Sequence, residues 1–303
     1  MGWSCKSRLK SEFNSRNLFM DHNNPATFVQ FQFGGKTFYT LWRLLGILVS
    51  AGLVATSLQL TVTSDDVVQR WPIYLTNWSL LLLVFNALLD FSASLYTQIK
   101  RKDLLIGRPR VLPWYLKVVW VIHNVSQSST YSVTLLYWTL VYNGGATVEG
   151  SKVVLYLGHG LNCIYVTSVI LVSGIPTRLL HFYQTFVYSV AYIVFSITNR
   201  GAEKHETHAY YFLDWSVPSR AWPYAMLLVL VNVVCHCAVF FVVCLREFVT
   251  SKVVHARGEN SCYVDNEVEY LEFSSDRRII TKGDENQQKT RLLVPMNLLD
   301  TIT

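Results

Sequence analysis

Six apolar runs, each of about 20 residues or more, fill most of the first 248 residues, and a chain with this pattern folds in lipid. The runs lie at 41–62, 73–97, 112–142, 153–173, 179–198 and 222–248. A helix rises about 1.5 Å per residue, so about 20 residues cross a hydrocarbon core about 30 Å thick. Runs of this length exceed any ordinary strand. The pattern predicts an all-α fold, a six-span transmembrane helical bundle.

Charge sets the expected topology. Residues 1–38 carry five Lys or Arg against two acids, and 98–111 carries Lys100, Arg101, Lys102, Arg108 and Arg110 against Asp103. Basic loops favour the cytoplasmic side. The N- and C-termini are therefore expected to be cytoplasmic, with 199–221 the longest outer connection. The net charge of +6 follows this topology and is no nucleic-acid footprint. With 51% hydrophobic and 15% charged residues, the chain suits one membrane domain, 39–248, between a cytoplasmic segment, 1–38, and a tail, 249–303. The tail holds nine acids and seven bases without apolar periodicity, the composition of a disordered segment. The first span is expected to act as the insertion signal. Membrane lipids are the expected partners. No nucleic acid is expected, no protein partner is named, and the membrane is either the plasma membrane or an endomembrane.

No metal or cofactor is expected. His205 and His208 stand three apart around Glu206-Thr207, short of the His-Glu-x-x-His spacing and without a third ligand nearby in sequence, and read as a solvated loop. The six cysteines lie in spans or cytoplasmic tails, so no disulfide framework is implied. The sequons at Asn77 and Asn124 fall inside spans, out of reach of glycosylation.

Polar groups in hydrocarbon are costly, so they carry the functional information. Span two holds Thr76, Asn77, Asn86 and Asp90; span four holds His159, Asn162 and Thr167; span six holds Asn232 and His236. In span three His123, Gln127, Thr130 and Thr134 are spaced 4, 3, 4 and share one face. Such residues can serve as bonds between helices. Arg43 and Lys117, near cytoplasmic ends, are expected to snorkel to the surface. One pair stands apart. Thr76 lies about 5 Å and His159 about 9 Å into the outer leaflet by helical rise, on different spans. A hydroxyl and an imidazole at similar depth are the core of a nucleophile–base pair. Asp90 lies roughly 21 Å along the helix from Thr76, so it cannot orient His159, and it is expected to pair with a basic or amide group.

Residues 10–248 resemble the rolling stone family. The resemblance rests on Trp71-Pro72-Ile73-Tyr74-Leu75-Thr76-Asn77-Trp78, on Gly158-His159-Gly160-Leu161-Asn162 and on Tyr211-Phe212-Leu213-Asp214-Trp215. Phe28-Val29-Gln30-Phe31-Gln32 adds to it. That resemblance implies a role in myoblast or cell–cell fusion, or in membrane remodelling. The chain is more distantly similar to the androgen-induced family of membrane hydrolases, at Leu75-Thr76, Asp90, His159-Gly160, Tyr211-Phe212-Leu213, Pro218 and Arg220. This second resemblance implies hydrolysis of fatty acid esters of hydroxy fatty acids, with Thr76 as nucleophile and His159 as base. Asn77-Trp78 departs from that family's pattern. The polar face of span three also admits a transporter or channel, but no inverted repeat, broken-helix pair or ring of like charges accompanies it.

Overall fold

On the first two long helices many apolar side chains face outward and many polar ones face inward, the arrangement a lipid solvent selects. On α1 (Lys36–Thr63) Leu41, Leu44, Leu45 and Leu48 are exposed, while Tyr39, Arg43 and Ser50 are fully buried. On α2 (Leu75–Lys100) Leu81, Phe85, Leu88 and Leu95 are exposed, while Asn86, Asp90, Ser94 and Thr97 are buried. The computed structural model describes residues 9, 11–32, 35–63, 68–106, 111–142, 157–199 and 210–256. Four further long elements follow: α3 (Trp114–Leu136), α4 (Asn162–Val172), α5 (Phe182–Asn199) and α6 (Pro218–Ala256). Among the described residues there are no strands, and one isolated bridge joins Phe31 to Ser173. Met1–Thr250 forms one compact unit and Ser251–Thr303 another, of which only residues 251–256 are described, as helix.

Among the described residues four stretches are long and apolar enough to cross a membrane: Lys36–Gln59, Leu75–Lys100, Leu179–Asn199 and Pro218–Val253. The chain is thus a membrane-embedded helical protein. The six expected spans are not all matched by this measure. His159–Val172 is apolar but shorter. Helix α3 has the length but carries His123, Asn124, Gln127 and several serines. Residues 123–130 of α3 are all buried, so no side of this stretch faces lipid and its polar groups have protein around them. Ser126, Ser128, Ser129 and Ser132 keep its surface small, which lets neighbouring backbones approach.

Within the 1–38 segment, residues 11–32 pack onto the bundle. Asn24 accepts from the Ala26 N–H and caps the 3₁₀ turn Pro25–Phe28. That turn delivers Phe28 and Val29, both fully buried, to a core with Trp120, Leu116 and Ile175. Phe28 meets Trp120 edge-on at 5.2 Å between ring centres. Burying such a ring stabilises by about 1.5–3 kcal/mol. Arg178 bonds Asn17, donates to the Asp21 carbonyl at 3.1 Å and lies over the Trp120 ring.

His22 sits against Phe28 and Trp120. Burial, then the nearby Arg178 charge, lowers its pKa from 6.5 to about 4. The folded state therefore holds it neutral, and its contribution is complete above the unfolded value of 6.5. As pH falls towards 4 the unfolded chain takes up the proton first and stability drops. Acid unfolding of a His22→Gln variant is expected to be flatter across this window. An unchanged pH profile would show that His22 does not govern it.

Irregular backbone inside a membrane protein must have its carbonyls satisfied. Residues 173–178, between α4 and α5, are extended and mostly buried. Arg246 donates to the Ile170, Ser173 and Ile175 carbonyls at 2.8, 2.8 and 3.2 Å. Gln32 donates to Leu171, Trp120 to Pro176, and the His236 ring is bonded to the Arg178 carbonyl. Four side chains, from the N-terminal segment, α3 and α6, thus serve the end of α4 and this strap.

Helices α1 and α4 meet at Gly46. A methyl group there would stand 2.2 Å from the Tyr165 hydroxyl and 3.1 Å from its ring carbon. Gly46→Ala is expected to lower stability by about 1–3 kcal/mol through overpacking. Combining it with Tyr165→Phe should recover part of the loss, measured by denaturant unfolding in detergent. A double variant no more stable than Gly46→Ala alone would place the clash elsewhere.

Candidate functional site

Thr76 is set in place by the aromatic run that precedes it. The Asn77 amide donates to the Trp71 carbonyl at 2.6 Å and accepts from Ser57 at 2.7 Å. Trp71 Nε1 also reaches Ser57, and Trp78 Nε1 donates to the Pro72 carbonyl at 2.7 Å. These bonds clamp the 3₁₀ turn Val68–Ile73 to the first turn of α2, where Thr76 sits. The Asn77 sequon is thereby committed to structure.

Thr76 lines a cavity of about 30 Å³ with Tyr137, Tyr210, Phe212, Tyr224 and aliphatic side chains of α3 and α6. A space of this size takes about one water, so a lipid chain enters only if the walls part. Tyr210 lies beside Thr76 and lines the same cavity. Burial pushes the Tyr210 pKa up to about 12, so it remains a donor at neutral pH.

His159 is buried, and its ring stacks on Tyr137 at 3.6 Å with 8° between planes. Its carbonyl accepts from Thr134 at 3.1 Å. Both rings lie in π-helical turns, Tyr137–Val141 and Leu157–Leu161, which re-aim the side chains at the ends of α3 and α4. His159 Nδ1 has no hydrogen-bond partner among the described residues. Thr76 and His159 are not hydrogen-bonded to each other there. They are related through Tyr137, which lines the cavity with Thr76 and stacks on His159. Tyr137 and Tyr210 were not singled out from sequence. The only signal for Tyr210 was its place beside Tyr211-Phe212-Leu213.

Asp90 lies apart from this pair and is bonded to Arg43, both side chains fully buried. Tyr39 donates to the same carboxylate, 3.1 Å from each oxygen. The expectation that Arg43 snorkels is therefore corrected: an inward-facing carboxylate one helix away holds the guanidinium inside. Lys117 does reach the surface, 3.0 Å from Asp21 of the N-terminal segment.

Between the two regions lies a face of polar side chains. Both amide atoms of Asn86 and of Gln127, His123 Nδ1, Asn162 Nδ2, and Nε and Nη1 of Arg43 are buried without a hydrogen-bond partner among the described residues. Each such group left dry costs about 1–3 kcal/mol. A fold stable by only about 5–15 kcal/mol cannot carry them all dry. Among the described residues no group of three His, Cys, Asp or Glu could hold a metal ion. His205 and His208 fall outside the described residues.

No protein-family model matches the chain, and neither does any solved structure. Over 228 residues, 71% of this chain and 81% of the other, it is 22% identical to protein rolling stone of Drosophila melanogaster, of which it is a distant homologue.

Proposed function

We propose that this chain is a six-span membrane protein that hydrolyses lipid esters in the outer half of its bundle, with Thr76 as nucleophile and His159 as base. The observation that carries the reading is the shared neighbour: Tyr137 lines the cavity beside Thr76 and stacks on His159. The two residues border one region of the bundle, and Nδ1 of His159 is open to accept a proton. In the reaction Thr76 Oγ attacks the ester carbonyl while His159 takes its proton and passes it to the leaving alcohol. The Tyr210 hydroxyl, which lines the same cavity, serves as donor for the developing oxyanion. Water then cleaves the acyl-threonine, with His159 again as base. By resemblance the substrates are fatty acid esters of hydroxy fatty acids. The six-span topology with both termini cytoplasmic requires α3 and the α4 segment to cross as well, which labelling of tagged termini in sealed vesicles tests.

Hydrolysis by the purified chain in nanodiscs, with Thr76→Ala and His159→Ala beside it, tests the chemistry. Each variant is expected to lose at least about a hundredfold in rate while remaining folded. Activity indifferent to both changes, or absent from the native chain, removes this reading. The similarity to rolling stone favours a second reading, a fusion or membrane-remodelling role without chemistry. A cell-fusion assay separates the two, because only the first predicts that Thr76→Ala abolishes the effect.

A further inference from the structure

We infer that the polar face of α3 is a water-bearing track joining His159 to the Arg43–Asp90 pair, and that it supplies the hydrolytic water; the supply role rests on the function proposed above. One end is fixed by Thr134, which donates to the His159 carbonyl. From there Thr130, Gln127 and His123 follow along the same helix face, a rise of about 16 Å from Thr134 to His123. At the other end His123 stands within reach of the Arg43 charge. Asn86 is one turn from Asp90 on α2, and Asn162 is three residues from His159 at the start of α4.

The unpartnered atoms along this face identify the occupant. They include donors, Arg43 Nε and Nη1 and the amide nitrogens of Asn86, Gln127 and Asn162. They also include acceptors, the amide oxygens of Asn86 and Gln127. An anion satisfies only donors and a cation only acceptors. Water does both, and buried water makes about three such bonds.

The chemistry needs this supply. Acylation leaves Thr76 Oγ bonded to the acyl carbon, in surroundings built largely of leucine, valine and aromatic side chains. In the second step a water oxygen bonds to the acyl carbon, its proton passes to His159, and the acyl–Oγ bond breaks. Oγ recovers the proton and a carboxylic acid leaves. One water is consumed per turnover beside a cavity that holds about one. The track refills it from within the bundle.

The test has two readouts on the full chain in nanodiscs. Radiolytic hydroxyl footprinting is expected to modify His123 and Tyr165, buried residues that each carry a polar atom without a hydrogen-bond partner among the described residues. Trp120 and Tyr192, also buried and bonded to the Pro176 and Ile73 carbonyls, should stay unmodified. Labelling of His123 should fall in Gln127→Leu and, as a second variant, in Asn86→Leu. If His123 and Tyr165 are labelled no more than Trp120 and Tyr192, the track is overturned. In single turnover with a lipid ester, Gln127→Leu should accumulate acyl-Thr76 by mass, with deacylation slowed about tenfold and acylation nearly unchanged. Equal deacylation in variant and native chain overturns the supply role. A native chain that is labelled but never forms acyl-Thr76 keeps the track and removes the hydrolase.

Discussion

Replacing Arg246 with Leu is expected to cost about 3–5 kcal/mol, because three buried carbonyls lose one charged donor together. Arg246 is 6% exposed and bonds Ile170, Ser173 and Ile175. Two of these carbonyls belong to the end of α4 and the residue just past it, where a cation also complements the helix dipole. The strap that follows cannot turn to solvent for replacement partners, since Ser173 and Ile175 are buried. Lysine at this position should restore only part of the loss, because its ammonium is a point charge and lacks the guanidinium's planar reach. Thermal and denaturant unfolding in detergent measure both variants. A midpoint unchanged in Arg246→Leu would mean that the strap is not held this way.

The second large effect is expected at Asp90. Asp90→Asn leaves the Arg43 guanidinium buried without its counter-charge and weakens the Tyr39 bond. Breaking a fully buried pair on one side costs about 3–5 kcal/mol. Removing both charges is a different experiment. Arg43→Met with Asp90→Leu replaces two desolvated ions by apolar volume and should recover most or all of the stability, since such swaps range from neutral to about 1–4 kcal/mol stabilising. Arg43→Met, Asp90→Leu and the double variant form a cycle whose coupling term isolates the pair. Additive losses would show that Arg43 and Asp90 are held independently.

The helices themselves were largely legible. The run at 41–62 lies inside α1, which begins earlier, at Lys36. The run at 73–97 became α2, shifted inward to Leu75 because Pro72 belongs to a 3₁₀ turn. The run at 112–142 became α3 and a π-helical turn ending at Val141. The apolar run of span six ends at 248, whereas α6 continues to Ala256. Helical spacing also placed His123, Gln127 and Thr130 together, and all three are buried.

The site was legible only in part. Thr76 and His159 were chosen for similar depth, and depth is one coordinate of three. Their relation through Tyr137 depends on two π-helical turns, and no periodicity in the sequence announces those. Arg43 was misplaced for a similar reason. Its position near a helix end makes snorkelling available, but the choice was made by an aspartate forty-seven residues away. The docking of Phe28 and Val29 was likewise unreadable, since a short apolar pair in a polar segment carries no period.

What the sequence determined by itself is the solvent and the inventory: apolar runs long enough for lipid, and the polar residues those runs carry inward. Both are properties of single helices, fixed by rise, period and the cost of burying polar groups. The pairing of that inventory was decided by the tertiary structure alone. Whether an arginine meets water, an aspartate or a row of carbonyls depends on how neighbouring helices are rotated and at what height they cross. Those quantities belong to the packed bundle and to no single segment of the chain.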